Sequence, residues 1–275
     1  MRVPSAGLLP ADVLGDGPPL LLLHGLGSSR GDWTTLAPLL GQHFTVISVD
    51  LPGQGDALPL PVRPSVSALT DALEADLDAR GLTQVHVLGN SLGGRLALEL
   101  ARRGRALSVV AVGPSGTSLP PERVVQGSGF VLAAGLVRLL RPALPALTRS
   151  PLGRTALLPG LRLLPWRATA REASVLGQGF GSPDIWRLIL WSTLLDVAPA
   201  MRAITCPVTL AQGSHDVIAT GQTVRFRPLV RGSRFQLLPF AGHAPMSDVP
   251  DRLVRLTRET AALASPAPAA ARVSA

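Results

Sequence analysis

The chain has 275 residues, of which 46% are hydrophobic, so it is long and apolar enough for one large α/β domain with a substantial buried core. Its net charge is +8, but no arginine cluster with interleaved aromatic residues and no nucleic-acid-binding module occurs, so we expect no nucleic-acid partner. The single cysteine, Cys206, excludes an internal disulfide, and the first residues lack the apolar core of a signal peptide, so we predict a soluble, cytoplasmic protein.

Six short apolar runs recur along the chain, and most of them end in glycine or aspartate. Unbroken apolar runs of this kind are typical of strands that are covered on both faces of a parallel sheet. The six predicted strands are "PLLLLHG" (19–25), "FTVISVD" (44–50), "QVHVLGN" (84–90), "LSVVAVG" (107–113), "PVTLAQG" (207–213) and "RFQLLPF" (234–240).

Helical patterns separate these runs. The clearest is "SVSALTDALEADLDARGL" (65–82), in which leucines recur at fourfold spacing before a glycine stop. The other predicted helices are "WTTLAPLLGQ" (33–42), "LGGRLALELARRG" (92–104) and "DVPDRLVRLTRETAALA" (248–264). Strands that alternate with helices predict a doubly wound, mostly parallel α/β sheet.

The alternation stops at about residue 118 and resumes at about residue 206. The segment between is rich in leucine, arginine and proline, and residues 118–200 hold nine arginines against four acidic residues, a local net charge of +5. We predict a helical insertion here. Its stretch 129–148 is apolar, but it contains two arginines and two prolines, so we expect no membrane span. The predicted organisation is core 1–117, insertion 118–205, core 206–264 and a flexible tail 265–275.

One serine stands between glycines at the point where a predicted strand turns into a predicted helix. In "GNSLGG" (89–94), Gly89 and Gly93 flank Ser91 at two residues on either side. Such a turn holds its serine in a strained backbone conformation that only small neighbours allow, and the positive end of the following helix points at the serine. The pattern predicts an exposed nucleophile.

Five motifs in order make the chain resemble the α/β-hydrolase family over most of its length. They are "LLLLHGLGSS" (20–29), "VDLPGQGDALP" (49–59), "GNSLGG" (89–94), "QGSHDVI" (212–218) and "AGHAPMSDVPDRL" (241–253). In that family they correspond to the oxyanion loop, a glycine turn, the nucleophile elbow, the strand end that carries the acid, and the histidine loop. The resemblance implies that the helical insertion is a cap, and that the first one or two strands of the sheet are missing or irregular here.

The resemblance assigns a role to individual residues of this sequence. Ser91 corresponds to the nucleophile, His243 to its base and Asp216 to the acid that orients the base. The backbone N–H groups of Leu26 and Leu92 correspond to the oxyanion hole. No cofactor or metal is implied. Because the elbow holds serine rather than aspartate, the alkyl-enzyme chemistry of dehalogenases and epoxide hydrolases is not expected.

Other polar residues near these motifs have less specific interpretations. His24 is expected to brace the oxyanion loop by hydrogen bonds. His215 adjoins Asp216 and is the rival to His243 as base. Asp50 is expected to be structural, and Asp248 to cap or brace the last helix. The four tryptophans (Trp33, Trp166, Trp186 and Trp191) either pack or line a pocket.

The predicted function is a serine hydrolase that cleaves a carboxylic ester, or a related acyl substrate, through an acyl-enzyme. The leucine- and valine-rich insertion favours a small-molecule apolar substrate. One alternative is a hydrolase of carbon–carbon bonds in ring-fission diketones, because "GNSLGG" is close to the elbow of such enzymes. A second is a ligand-binding protein that keeps the fold without turnover. The sequence leaves the physiological substrate, the shape of the cap pocket and the oligomeric state open.

Overall fold

A computed structural model describes residues 8–264 of the chain, apart from the side chain at position 176. The predicted flexible tail, residues 265–275, therefore lies outside the described residues, as does the start of the chain.

A single seven-stranded sheet organises the described residues. Its strands are β1 (Ala11–Leu14), β2 (Pro19–Leu23), β3 (Thr45–Val49), β4 (Val85–Asn90), β5 (Ala106–Val112), β6 (Val208–Gly213) and β7 (Arg234–Leu238). The spatial order is β1-β3-β2-β4-β5-β6-β7, and only β1 runs antiparallel to its neighbour. All six predicted strands are therefore confirmed as strands of a mostly parallel sheet.

The beginning of the sheet is short, as the sequence indicated. β1 has four residues and pairs with β3 at the edge, where Ala11 lies opposite Val49. No other strand precedes β2 in the part of the chain that the structure describes.

Helices cover both faces of the sheet. Outside the interval between β5 and β6 they are α1 (Ala37–Leu40), α2 (Val66–Ala79), α3 (Leu92–Arg102), α9 (Gln222–Phe226) and α10 (Pro250–Ala261). Successive leucines of β2 alternate between the two cores: Leu21 packs in the cluster that contains α2 and α3, and Leu22 packs in the cluster that contains α1 and α10. Two cores on opposite faces make the sheet doubly wound.

One predicted helix is much shorter than expected. Where a helix was predicted over 33–42, a 3₁₀ turn at Arg30–Trp33 ends at the start of this run, and only the four residues of α1 are helical within it. Pro38 explains the difference, because its ring would clash with the carbonyl of Thr34 in a continuous helix.

Every regular element between β5 and β6 is helical. These elements are α4 (Pro120–Leu140), α5 (Leu144–Arg149), α6 (Pro151–Leu157), a 3₁₀ turn at Pro165–Arg167, α7 (Ala170–Phe180), α8 (Ile185–Leu188) and a π-helical stretch at Ile189–Leu194. We call residues 120–194 the helical insertion. It contacts the loop after β2, where a Cβ atom added to Gly179 would lie 2.1 Å from the carbonyl oxygen of Gly27.

Candidate active site

Ser91 occupies a strained turn between β4 and α3. Its φ of 56° and ψ of −116° lie in a region that non-glycine residues rarely adopt. The flanking glycines make the turn sterically feasible: a Cβ atom at Gly89 would lie 2.2 Å from the carbonyl oxygen of Gly93, and one at Gly93 would lie 2.0 Å from that of Leu23. The packing of the surrounding chain therefore holds Ser91 in this strained backbone conformation.

A buried histidine–carboxylate pair lies at the same edge of the sheet. His243 Nδ1 donates a hydrogen bond to Asp216 Oδ2 at 2.9 Å, and both residues are buried. Asp216 Oδ1 accepts from the backbone N–H groups of Ile218 and Ala219 at 2.9 and 2.8 Å. In the neutral imidazole, this arrangement leaves Nε2 unprotonated and able to accept a proton.

The environment of Asp216 keeps its carboxyl ionised. Burial by itself would raise the pKa of Asp216. The charge of His243, together with the hydrogen bonds from His243 and from two backbone amides, outweighs burial and holds the pKa below its usual value. Gln212 adds a further donor, because its Nε2 lies 2.7 Å from Asp216 Oδ2.

Ser91 and His243 line one small cavity. Its volume is about 20 Å³, which is enough for one water molecule. No hydrogen bond within 3.5 Å joins the Ser91 hydroxyl to the His243 ring, although both residues are among those described. The cavity is lined by Leu26, Ser91, Leu92, Ser115, Gln126, Phe130, Thr193, Ile218, Ala219, Gln222 and His243.

The two residues predicted to form the oxyanion hole, Leu26 and Leu92, both belong to this lining. Leu92 is the first residue of α3, so its backbone N–H is among those that a helix leaves without an intrahelical partner. Next to Leu26, the Gly27 N–H donates to the Gln54 side chain at 2.6 Å. That bond holds the loop after β2 against the turn after β3.

His24 braces the same loop, as its position after β2 predicted. The Leu51 N–H donates to His24 Nε2 at 3.0 Å, so Nδ1 carries the proton and donates to the Gly25 carbonyl at 2.8 Å. Burial lowers the pKa of His24 to about 4, against smaller raising effects from Gly25 and Asp50. His24 is therefore neutral at physiological pH.

The rival base is placed away from the cavity. His215 Nδ1 is hydrogen-bonded to Ser214 Oγ at 2.8 Å, and the pair is exposed.

Asp50 is fully buried and accepts hydrogen bonds from the backbone N–H groups of Arg30 and Asp56 at 2.7 and 2.9 Å. Its contacts agree with the structural role predicted for it.

None of the four tryptophans lines the cavity that holds Ser91. Trp33 is buried in the core against α10, Trp191 lies under the Arg63 guanidinium, and Trp166 and Trp186 are exposed.

Within residues 8–264, no group of three or more His, Cys, Asp or Glu side chains is arranged to hold a metal ion.

Several residues around the cavity were not singled out from the sequence. Asn90 donates to the carbonyl oxygens of His243 and Val112 at 2.8 and 3.2 Å, and so holds the histidine loop against β5. Ser115 lines the cavity with a buried hydroxyl that has no partner among the described residues. The only signal for Asn90 was its place beside Ser91 in the elbow, and Ser115 carried none.

Asp248 was predicted to cap or brace the last helix, and the cap is wrong. The residue before α10 is Val249, and no side chain caps that helix. The Asp248 carboxylate instead accepts hydrogen bonds from Gly242 N–H at 2.9 Å and from Leu163 and Leu164 N–H at 3.0 and 2.9 Å. Three backbone donors converge on this carboxylate because the insertion packs against the histidine loop.

Arg162 makes the second link between the insertion and the histidine loop. Its guanidinium is buried and donates to Ser247 Oγ at 2.6 Å and to Asp32 Oδ1 at 2.5 Å. Burial raises the pKa of Asp32 above its usual value, although the positive charge of Arg162 opposes that rise. We call Asp248, Arg162 and their partners the insertion–histidine clamp.

Comparisons with known proteins agree with this architecture. The family model described as "Alpha/beta hydrolase family" matches residues 20–256. The chain is 28% identical over 255 residues to the pimeloyl-[acyl-carrier protein] methyl ester esterase of Nitrosospira multiformis, covering 88% of this chain and 93% of that protein. It is 28% identical over 198 residues to epoxide hydrolase EphH of Mycobacterium tuberculosis, covering 70% and 92%.

Two solved structures illustrate the similarity of fold. A thermophilic esterase from Thermogutta terrifontis superposes with a TM-score of 0.72 at 23% identity, covering 91% of this chain and 92% of that one. The meta-cleavage product hydrolase CumD of Pseudomonas fluorescens superposes with a TM-score of 0.69 at 20% identity, covering 94% and 96%.

Proposed function

Because the chain belongs to the alpha/beta hydrolase family, we propose that it is a serine hydrolase that cleaves a carboxylic ester of an apolar acid or alcohol. Ser91 is the nucleophile, His243 the general base and Asp216 the group that orients His243. The observation that carries the proposal is the Asp216–His243 pair, buried beside a serine that the chain holds in a strained turn.

The first half of the reaction forms an acyl-enzyme. Ser91 Oγ attacks the ester carbonyl while His243 Nε2 takes its proton, and the carbonyl oxygen becomes an oxyanion. The N–H groups of Leu26 and Leu92 stabilise that charge. When the tetrahedral intermediate collapses, the bond to the alkoxy oxygen breaks and His243 returns the proton to the leaving alcohol.

The second half uses water. His243 removes a proton from a water molecule, the resulting hydroxide attacks the acyl carbon, and Ser91 leaves with the proton that His243 holds. Throughout the cycle Asp216 remains ionised and balances the imidazolium charge, which fits the depressed pKa of its carboxyl.

The cavity supports an apolar substrate and a movable cap. Its lining includes Leu26, Phe130 and Ile218, whereas its volume of about 20 Å³ admits only one water molecule. Gln126, Phe130 and Thr193 come from the helical insertion. We therefore propose that the insertion is the cap and that it shifts to admit substrate.

The cytoplasmic location of the protein stays a prediction.

Related enzymes define the competing chemistries. The similarity to the methyl ester esterase supports ester cleavage. The similarity to an epoxide hydrolase does not extend to the chemistry that we expect, because the residue at the elbow here is serine. Hydrolysis of a carbon–carbon bond in a ring-fission diketone uses the same serine and base, so it remains an alternative that only substrates discriminate.

A fluorophosphonate probe tests for the activated serine, and a substrate panel tests for the bond that is cleaved. We expect stoichiometric labelling that Ser91→Ala abolishes and that Ser115→Ala retains, because Ser115 lines the same cavity but its hydroxyl has no hydrogen-bond partner among the described residues that could act as a base. The panel compares p-nitrophenyl esters of increasing chain length with ring-fission dienoates. Turnover of the dienoates alone would establish carbon–carbon cleavage, and absence of labelling in the folded protein would establish a non-catalytic binding protein.

A further inference from the structure

The longest helix of the insertion presents an apolar face to solvent. α4 exposes six large aliphatic side chains, and each is 48–76% accessible: Val124, Val125, Val131, Leu132, Leu136 and Leu139. The remaining exposed positions between residues 120 and 140 are prolines, glycines, one serine and Arg138. The exposed face of this helix therefore carries no acidic residue and one basic residue, which is the reverse of an ordinary surface helix.

The opposite face of α4 is held by the protein. Ala134 is fully buried, and the Phe130 ring lies 6.2 Å from that of Phe180. Gln126 Nε2 donates to the Ile218 carbonyl at 2.5 Å, and Glu122 is paired with Arg225 at 2.6 Å. α4 is long and apolar enough to cross a membrane by length and composition. Its polar contacts with the rest of the fold fit a helix that lies on a surface better than one that spans a bilayer.

Positive charge accompanies this face. Arg138 lies in the last turn of α4, Arg141 directly follows α4, and Arg149 ends α5. All three are exposed, and none has an acidic partner among the described residues. Arg138 lies with its guanidinium 5.9 Å from the Trp186 ring. The four acidic residues between positions 118 and 200 are already engaged: Glu122 with Arg225, Glu172 with backbone amides, Asp184 with Arg187 and Asp196 with Arg95.

An apolar helix face accompanied by unpaired arginines matches the chemistry of an anionic bilayer, which offers acyl chains beneath negative headgroups. A second copy of the chain matches it less well. A symmetric dimer through α4 would place the same face of both copies in contact, and that face offers no acidic residue to pair with the arginines.

We propose that the exposed face of α4 docks the protein on a membrane surface that contains anionic lipid. Gln126 and Phe130 line the cavity of Ser91 from the inner side of the same helix, so docking would bring one wall of that cavity to the lipid surface. The inference goes beyond the proposed hydrolysis and is independent of it, because binding to vesicles is measured without turnover.

Co-sedimentation with vesicles tests the proposal. We expect the protein to sediment with vesicles of phosphatidylcholine containing about one third phosphatidylglycerol, and much less with phosphatidylcholine alone. The double substitution Leu132→Glu/Leu136→Glu should weaken binding by at least about tenfold. The matched control is Leu263→Glu, because Leu263 is 46% exposed and follows α10; this variant should bind as the parent protein does.

Charge is tested separately, in case the apolar variant fails to fold. Replacing Arg138, Arg141 and Arg149 with glutamine should weaken binding to the anionic vesicles about fivefold for each charge removed. The control is a second triple variant in which Arg202, Arg231 and Arg252 are replaced with glutamine. Equal binding by both triple variants would overturn the proposal. A dimer that the Leu132→Glu/Leu136→Glu variant converts to a monomer, with no vesicle binding by the parent protein, would assign the face to a second copy instead.

Discussion

Asp248 offers the sharpest test of how the helical insertion and the histidine loop are joined. Its Oδ2 atom accepts from Gly242 and Leu163 N–H, and its Oδ1 atom accepts from Leu164 N–H, at 2.9–3.0 Å. In Asp248→Asn one oxygen becomes an NH₂ group. The better orientation keeps two acceptor contacts but leaves one buried N–H facing another donor.

The magnitude follows from the number of bonds changed. One unsatisfied buried donor costs about 1–3 kcal/mol, and the two remaining bonds lose the assistance of a charged acceptor, so we expect Asp248→Asn to lower the free energy of unfolding by about 2–4 kcal/mol. Gly242 immediately precedes His243. A displacement of that loop should lower kcat by about tenfold to a hundredfold and change KM much less, because the misplaced group is the proposed base rather than a substrate contact.

Urea denaturation measures the first quantity, and ester hydrolysis well below the unfolding transition measures the second. Asp251→Asn is the matched control. It is the same substitution three residues later, at an exposed position in the first turn of α10. If both variants had the same unfolding free energy and the same kcat, the carboxylate at 248 would not organise this loop, and the clamp would be refuted.

Three further predictions follow from individual contacts. Gly93→Ala should not yield folded protein, since the added Cβ would lie 2.0 Å from a backbone oxygen, whereas Gly135→Ala, with nothing within 4 Å, should raise the unfolding free energy by about 0.5–1 kcal/mol; circular dichroism with urea titration compares them. Because the pKa of His24 is lowered to about 4, the unfolded state binds more protons between pH 6.5 and 4, so unfolding free energy should fall by roughly 2 kcal/mol from pH 7 to 5; a His24→Gln variant with the same pH slope would contradict this. Arg162→Met leaves the Asp32 carboxylate buried without its cation and should cost about 3–5 kcal/mol in urea unfolding; adding Asp32→Asn should recover part of that loss, and no recovery would show that the lost packing of Arg162 dominates.

Much of the fold is decided within short stretches of sequence. A run such as residues 19–25 is apolar without alternation, and it forms β2 with both faces buried. The turn at Ser91 needs glycines within two residues of it, and the structure shows backbone atoms in the space where their side chains would be. These features depend on neighbours in the chain, so their patterns are visible in the sequence before any packing is known.

The sequence indicated the proposed members of the site, but it did not indicate the residues that hold them in place. Ser91, Asp216 and His243 were indicated by motifs that occupy recognisable positions after strands. Asn90 holds the histidine loop through a hydrogen bond across 153 residues, and the Asp248 bonds to the insertion span 84 and 85 residues. No local pattern encodes such partners, because they are set by how the insertion packs on the sheet.

By itself, then, the sequence determined the order of strands and helices, the doubly wound sheet and the strained turn that presents Ser91, because periodicity and steric exclusion act over a few neighbouring residues. Only the tertiary structure decided that Asp248 joins the insertion to the histidine loop, that Arg162 reaches Asp32, and that the apolar face of α4 is turned outward. Those outcomes depend on which surfaces meet when distant segments pack. The amino-acid composition of an apolar helix face is the same whether that face meets the core or the solvent.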